Sequence, residues 1–587
     1  MNRNPSSRWI AGGTALALAL APAMPRDAGA QPLRRPEQTG IRHVLLISID
    51  GMHALDFINC AHGLSSVNGG APFCPNLAAL AQTGVDFLDT STSKPSDSFP
   101  GLMALVTGGS PRSVGAFYDV AFDRSLDPPA ATTGNGVAGA PGLCTPGAAP
   151  TGTTTEFDEG IDINKLALNG GAPTGVDGGI QSIDPTKLER NPANACTPVF
   201  PWQFIRTNTI FGVVHAAGGY TAWSDKHPSY SAVSGGDGKN VDDYFSPEIN
   251  SIPVALPTVA GCSPLPDQTA VTPSNSWTDS FQNIQCYDGL KVQAIVNEIN
   301  GLTHNGQARA PTPALFGMNF QVVSVGQKLI EKSTGVTGGY LDAEGTPTPA
   351  LLSEIQFADA SIGKMVAALK ARNLMDSTLI VVSAKHGQSP IDSTRYLGIS
   401  TEPGDPITTS PATILEALLP DSESPANATG IGPTEDDISL VWLANSSDTA
   451  NAVSMLRSQS PVTGNIAGIG EIFAGPAIGQ LFNLPGLAPN GDPRSPDIVV
   501  TPNIGVTYSG SKKKLAEHGG FSHDDTNVIM LLSNPAFQAE TVTSPVQTAQ
   551  IAPTILAALG LDPEALDAVR QEHTQVLPGL FGDALGR

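Results

Sequence analysis

The feature that most limits what this chain can fold into is a pair of apolar, β-branched runs that each stop at polar residues and a glycine. His43-Val44-Leu45-Leu46-Ile47-Ser48-Ile49 runs into Asp50-Gly51, and Ser377-Thr378-Leu379-Ile380-Val381-Val382-Ser383 runs through Ala384 into Lys385-His386-Gly387. Continuous apolar runs of this length suit strands covered on both faces. Leu315 to Val325 and Asn527 to Ser533 read as further strands, and Gly212-Val213-Val214 as a short strand-like run. Helical spacing appears in Pro75 to Gly84, in Phe99 to Thr107 with Gly108-Gly109 as its stop, in Leu351 to Ala371 and in Ile551 to Gly560. Strands alternating with helices, with polar residues at strand ends, predict an α/β fold with a largely parallel central sheet flanked by helices.

The rest of the chain is harder to read. With 587 residues, 40% of them hydrophobic and 14% charged, it can bury a large core, while 62 glycines and 50 prolines demand much loop. Residues 31–120, 311–400 and 495–587 carry the α/β pattern and are expected to form the core. Residues 121–310, which hold four of the six cysteines, read as a disulfide-containing insertion, and 401–494 as a second, cap-like insertion.

Arg3 and Arg8 precede an apolar run from Ile10 to Ala23, and Ala28-Gly29-Ala30 offers small residues for cleavage. Residues 1–30 therefore read as a signal peptide cut after Ala30, which implies a secreted or periplasmic protein. No other stretch approaches the ~18 apolar residues of a membrane span. The even set of cysteines contains no Cys-x-x-Cys pair, so disulfides are expected, with Cys60 and Cys74 the simplest pair. The formal charge of −23 argues against a nucleic-acid backbone as partner, because phosphates would be repelled. A small phosphate ester remains compatible, since a local site can oppose the global field.

Asp50 and His386 each follow a buried strand, at the sheet edge where such folds place their sites. Ser98 lies in Lys94-Pro95-Ser96-Asp97-Ser98-Phe99-Pro100-Gly101. Pro100 suits a first helical turn, which puts Ser98 at or near an N-cap, where backbone N–H groups favour negative charge. His518 stands before Gly519-Gly520, and imidazole next to glycine suits a metal ligand.

The order strand-Asp50-Gly51, Pro95-Ser96-Asp97-Ser98-Phe99-Pro100, Leu105-Val106-Thr107-Gly108, strand-x-His386-Gly387 and His518-Gly519 resembles the alkaline-phosphatase superfamily. It is most similar to the type I phosphodiesterase/nucleotide pyrophosphatase branch, whose nucleophile segment reads Pro-Thr-x-Thr-Phe-Pro. Ile551-Ala552-Pro553-Thr554-Ile555 also resembles that branch's C-terminal helix. The resemblance implies an alkaline-phosphatase-like fold, Ser98 as nucleophile and a divalent metal site, usually two zinc ions, with Asp50, His386 and His518 as ligands.

Two departures stand out. The family's Asp-His-Gly is here Lys385-His386-Gly387, and an ammonium repels a cation. The family's Asp-x-x-x-His falls either on Asp342, with Thr346 in place of histidine, or on Val323 and Gln327. Asp342 is carried forward as a metal ligand and Lys385 as a catalytic positive charge that replaces part of the metal. In that case one ion remains, or an atypical pair that recruits Asp225, His227, His523 or Asp524.

The expected function is hydrolysis of a small phosphate ester, a phosphodiester or pyrophosphate, through a covalent phosphoserine. The alternative from another class is a secreted binding protein that has lost catalysis. A sulfatase would need Ser-x-Pro-x-Arg, and Ser98-Phe99-Pro100 continues into Gly101-Leu102.

Overall fold

The computed structural model describes residues 40–130, 144–156, 160–173, 176–251, 276–332, 334–399, 409–426, 432–458, 468–509 and 514–580. The expected signal peptide lies outside them.

Eight strands form the main sheet: β1 (His43–Ile49), β2 (Gly84–Phe87), β3 (Thr221–Ser224), β4 (Asp243–Phe245), β5 (Leu315–Phe320), β6 (Thr378–Ser383), β7 (Leu531–Ser533) and β8 (Glu540–Val542). Their order is β8-β2-β7-β6-β1-β5-β3-β4. β1 pairs in parallel with β5 and β6, β5 with β3, β3 with β4, and β2 with β8. Only β7 runs antiparallel to its neighbours β6 and β2. In register, Ser48 of β1 lies beside Asn319 of β5 and Ser383 of β6, so the strands end together at one edge.

The unbroken apolar runs are explained by burial on both sides. Val44 and Leu46 of β1 join one apolar cluster, while Leu45, Ile47 and Ile49 join the other. In β6, Leu379 and Val381 face the first, and Ile380 and Val382 the second. Side chains alternate across a strand, so a two-faced core needs every position apolar. Each such side chain contributes about 1.5–3 kcal/mol on full burial.

Helix α3 (Ser98–Thr107) packs with Ile551–Ala558 on the first face, and α7 (Pro349–Ala371) covers the second through Leu351, Ile355, Ile362, Met365 and Leu369. Between these two in the chain lie α4 (Ile210–Ala216), α5 (Phe281–Ile299) and α6 (Val322–Lys328); α1 (Ala54–His62) and α2 (Pro75–Ala81) precede α3.

Three expectations change. The strand read over Leu315 to Val325 stops at Phe320, and Val322 already belongs to α6. Gly212-Val213-Val214 is not a strand but the middle of α4, whose N-cap Thr209 accepts from the Gly212 N–H. Residues 121–310 do not merely decorate the sheet, because β3 and β4 belong to it and α5 packs against α7. Within 401–500, Thr434–Glu435, Ser439–Val441, Ile472–Ala474 and Ile498–Val500 form a separate four-stranded antiparallel sheet over its own apolar cluster.

Cys60 is bonded to Cys74 and Cys144 to Cys196, and Cys286 is also disulfide-bonded. No helix among the described residues is long and apolar enough to cross a membrane.

Candidate active site

The ends of four adjacent parallel strands supply the polar residues. β1 ends at Asp50, β3 at Asp225 and Lys226, β5 leads through Asn319 to Gln321, and β6 ends at Lys385 and His386. Backbone bonds lock these ends together: Asp50 N–H donates to Phe320 O and Gly51 N–H to His386 O, both at 3.0 Å. Gly51 is required here, since its φ is +81° and a Cβ would lie 2.3 Å from Gln327 Oε1. Gly101 plays a related part in α3, where a Cβ would stand 2.2 Å from the Lys385 carbonyl oxygen. The helix can therefore lie directly on the end of β6.

Asp97, not Ser98, is the N-cap of α3; its Oδ2 accepts from Phe99 N–H at 3.0 Å and Asp119 N–H at 3.1 Å. Ser98 is the first helical residue, fully buried, at the end of the helix that favours negative charge. Its Oγ lies 3.1 Å from His386 Nε2, 3.0 Å from Lys226 Nζ and 3.5 Å from Asp50 Oδ2. His386 Nδ1 sits 2.8 Å from Gly387 O. A carbonyl only accepts, so Nδ1 donates its proton there, and Nε2 is the ring atom that faces the Ser98 hydroxyl. Lys226 Nζ donates to the same oxygen.

Asp50 is the anionic centre beside this pair. Its Oδ2 accepts from Gln321 Nε2 at 2.6 Å and Asn319 Nδ2 at 3.1 Å, with Lys385 Nζ at 4.0 Å. Burial raises its carboxyl, but Lys385, then His386 and Lys226, outweigh that and hold it well below the usual range. Lys385 is itself held by Asp225, at 2.8 and 3.0 Å, and lies 4.1 Å from the centre of the Tyr230 ring. Asp225 also accepts from the Trp223 indole at 3.0 Å.

His518 stacks on His386 with ring centres 4.0 Å apart, and its Nδ1 is 3.5 Å from Asp97 Oδ1. Burial, followed by the charges of His386, Lys328 and Lys226, pushes its pKa well below 6.5. Lys226 and His518 each keep 8% exposure, whereas Ser98 and Asp50 keep none.

Of the residues expected from sequence, Asp50, Ser98, Lys385, His386 and His518 are brought together. Asp342 is not: it lies in an exposed loop, and its Oδ1 accepts from Glu344 N–H and Thr346 N–H, both at 3.0 Å. Among the alternates, Asp225 is in the site, His227 pairs with Glu248 at 2.9 Å, Asp524 accepts from Ile391 N–H at 3.0 Å, and His523 is exposed. Lys226, Asn319, Gln321 and Tyr230 were not anticipated. Lys226 carried a usable signal, since Thr221-Ala222-Trp223-Ser224 before Asp225-Lys226 repeats in miniature the strand-then-polar pattern of β1 and β6.

The divalent metal implied by the resemblance does not fit this donor set. Among the described residues, no group of three or more His, Cys, Asp or Glu side chains could hold a metal ion. Asp50 and His386 lie beside Ser98, with His518 and Asp97 next to them, but the ammonium groups of Lys226, 3.0 Å from Ser98 Oγ, and Lys385, 4.0 Å from Asp50 Oδ2, would repel a cation placed there.

The sequence profile of the type I phosphodiesterase / nucleotide pyrophosphatase family matches residues 44–201 and 333–524. No curated protein matches the chain. Similar solved structures include murine ectonucleotide pyrophosphatase / phosphodiesterase 5 in an inactive form in complex with AMP, at 14% identity over 89% of this chain and 96% of that one, with a TM-score of 0.50. The human counterpart is 12% identical over 88% of this chain and 95% of that one, with a TM-score of 0.48.

Proposed function

The chain belongs to the type I phosphodiesterase / nucleotide pyrophosphatase family, and from that premise we propose that it hydrolyses phosphodiester or pyrophosphate bonds with Ser98 as nucleophile. The carrying observation is that Ser98 Oγ meets both a base, His386 Nε2 at 3.1 Å, and a cation, Lys226 Nζ at 3.0 Å, at a helix N-terminus. A hydroxyl nucleophile needs that combination, a proton acceptor and a positive charge for the developing alkoxide.

In the first step the Ser98 proton passes to His386 Nε2, the Ser98 Oγ–P bond forms, and the bond from phosphorus to the leaving alcohol or phosphate breaks. The imidazolium then protonates the leaving oxygen. In the second step His386 takes a proton from water, whose oxygen attacks phosphorus as the Ser98 Oγ–P bond breaks, and the imidazolium returns its proton to Ser98 Oγ. Gln321 and Asn319 hold Asp50, Asp225 holds Lys385, and no step passes through a metal.

A second reading, a non-catalytic binding protein, draws on one observation: Ser98 has 0% of its surface exposed. Disulfides and the signal-peptide reading of residues 1–30 support a secreted or periplasmic location. Nucleotides belong in any substrate panel, because the murine protein of similar fold was captured with AMP. The test is turnover of chromogenic monoesters, diesters and nucleotide pyrophosphates, with mass spectrometry of the quenched protein. Diester or pyrophosphate turnover with a phosphorylated Ser98 peptide is expected. Absence of turnover across the panel rejects the hydrolase and leaves the binding protein.

A further inference from the structure

Buried charges of both signs surround Ser98. Asp50 and Asp225 are negative, Lys226 and Lys385 positive, and all four are buried. Lys385 Nζ sits 2.8 Å from Asp225 Oδ1 and 4.0 Å from Asp50 Oδ2, while Lys226 Nζ reaches Ser98 Oγ at 3.0 Å. Both ammonium groups also lie over the Tyr230 ring, at 4.1 and 5.7 Å from its centre. A divalent ion placed among Asp50, His386 and Ser98 would stand beside both ammonium groups, which would repel it at short range in a buried site.

The geometry points to a site in which Lys226 and Lys385 take over the electrostatic work of a metal pair, so that phosphoryl transfer at Ser98 runs without a bound metal ion. This rests on the phosphoester reading above. The division of labour follows from position. Lys226 Nζ touches the nucleophile and stabilises the alkoxide as His386 removes the proton. Lys385 does not touch Ser98; it offsets the Asp50 charge, which would otherwise repel an anionic phosphate beside the nucleophile. Lys226 is therefore a catalytic residue, and Lys385 acts through the field at Asp50.

The pinning of each lysine fits its part. The Lys226 backbone carbonyl accepts from Ile249 N–H at 3.1 Å and the Tyr287 hydroxyl at 3.3 Å. Asp225 accepts from Lys385 through both of its oxygens and from Lys226 N–H at 2.9 Å through Oδ1. One carboxylate thus fixes the Lys385 ammonium and the Lys226 backbone.

The experiment uses the full protein, purified, stripped with EDTA and 1,10-phenanthroline, then dialysed against zinc. Metal content is read by elemental mass spectrometry, diester turnover by a chromogenic assay, and inorganic phosphate binding by calorimetry. The expected result is no stoichiometric zinc, turnover unchanged by chelation, and phosphate binding to stripped protein that falls at least about 10-fold in Lys226→Met and partly recovers in Lys226→Arg. A stoichiometric divalent ion, or turnover lost on chelation and restored by zinc, overturns the inference while leaving the hydrolase reading intact. Lysine-dependent phosphate binding without turnover of any ester rejects the hydrolase reading and the transfer step with it, and leaves only a metal-free phosphate-binding site. The metal count needs no variant, so it decides the matter even where a lysine substitution fails to fold.

Discussion

Lys226 Nζ lies 3.0 Å from Ser98 Oγ across 128 residues of sequence. The two arrive from different elements, Lys226 from the end of β3 and Ser98 from the first turn of α3. Their meeting explains why β3 must be part of the main sheet: a loop-borne lysine would not hold a buried ammonium at a fixed distance from a hydroxyl.

Removing Lys385 is expected to damage stability as well as rate. Its ammonium is fully buried against Asp225 and near Asp50, so Lys385→Met leaves two buried carboxylates short of a partner, at a cost of about 3–5 kcal/mol. Urea unfolding checks this. The double variant Lys385→Met, Asp225→Asn should cost less than the sum of the single changes, because the stranded charge goes with its partner. Strict additivity would contradict the pairing.

Gln321 is predicted to tolerate no negative charge. Its Nε2 donates to Asp50 Oδ2 at 2.6 Å, so Gln321→Glu sets two carboxylates side by side and forces one to keep a proton. Diester kcat/KM should fall about 10²-fold, and the acidic limb of the pH–rate profile should move upward. An unchanged limb would remove Gln321 from the network around Asp50.

Stability should depend on Glu354 in α7. Burial pushes its carboxyl up to about 9 from the ordinary 4.5, against a lowering contact from Gln285. Between those values the folded chain keeps a proton that the unfolded chain has released, so stability falls as pH rises through the window. Glu354→Gln keeps the shape and has no proton to release. It should be more stable than the parent at about pH 8 and lose that advantage toward pH 4.5. Parallel unfolding curves for the two proteins at both pH values would contradict this.

Much of the frame was legible in sequence because a doubly covered strand leaves a long apolar signature. β1 and β6 end where that signature ends, and Asp50 and His386 follow at once. α3 was legible from Pro100 and Gly108, although its cap falls on Asp97, one residue earlier than Ser98. β3 is only four residues long, Thr221–Ser224, and stands among glycines, prolines and polar residues, so the strand-then-polar signal that leads to Lys226 is weak. Gly212-Val213-Val214 misled because β-branched residues favour strands, whereas the Thr209 cap and apolar packing decide for helix. Asp342 follows from the resemblance to the family's Asp-x-x-x-His segment, and a motif match carries no information about burial. Gln321 and Asn319 were invisible for another reason: an amide at a strand end says nothing until the neighbouring strand supplies its carboxylate.

The most direct test compares diester turnover by the wild-type protein and Ser98→Ala, both shown to fold by their thermal transitions. The account predicts a fall of at least about 10³-fold, since removing the nucleophile leaves only binding and electrostatic stabilisation. Equal rates in the two proteins would contradict it.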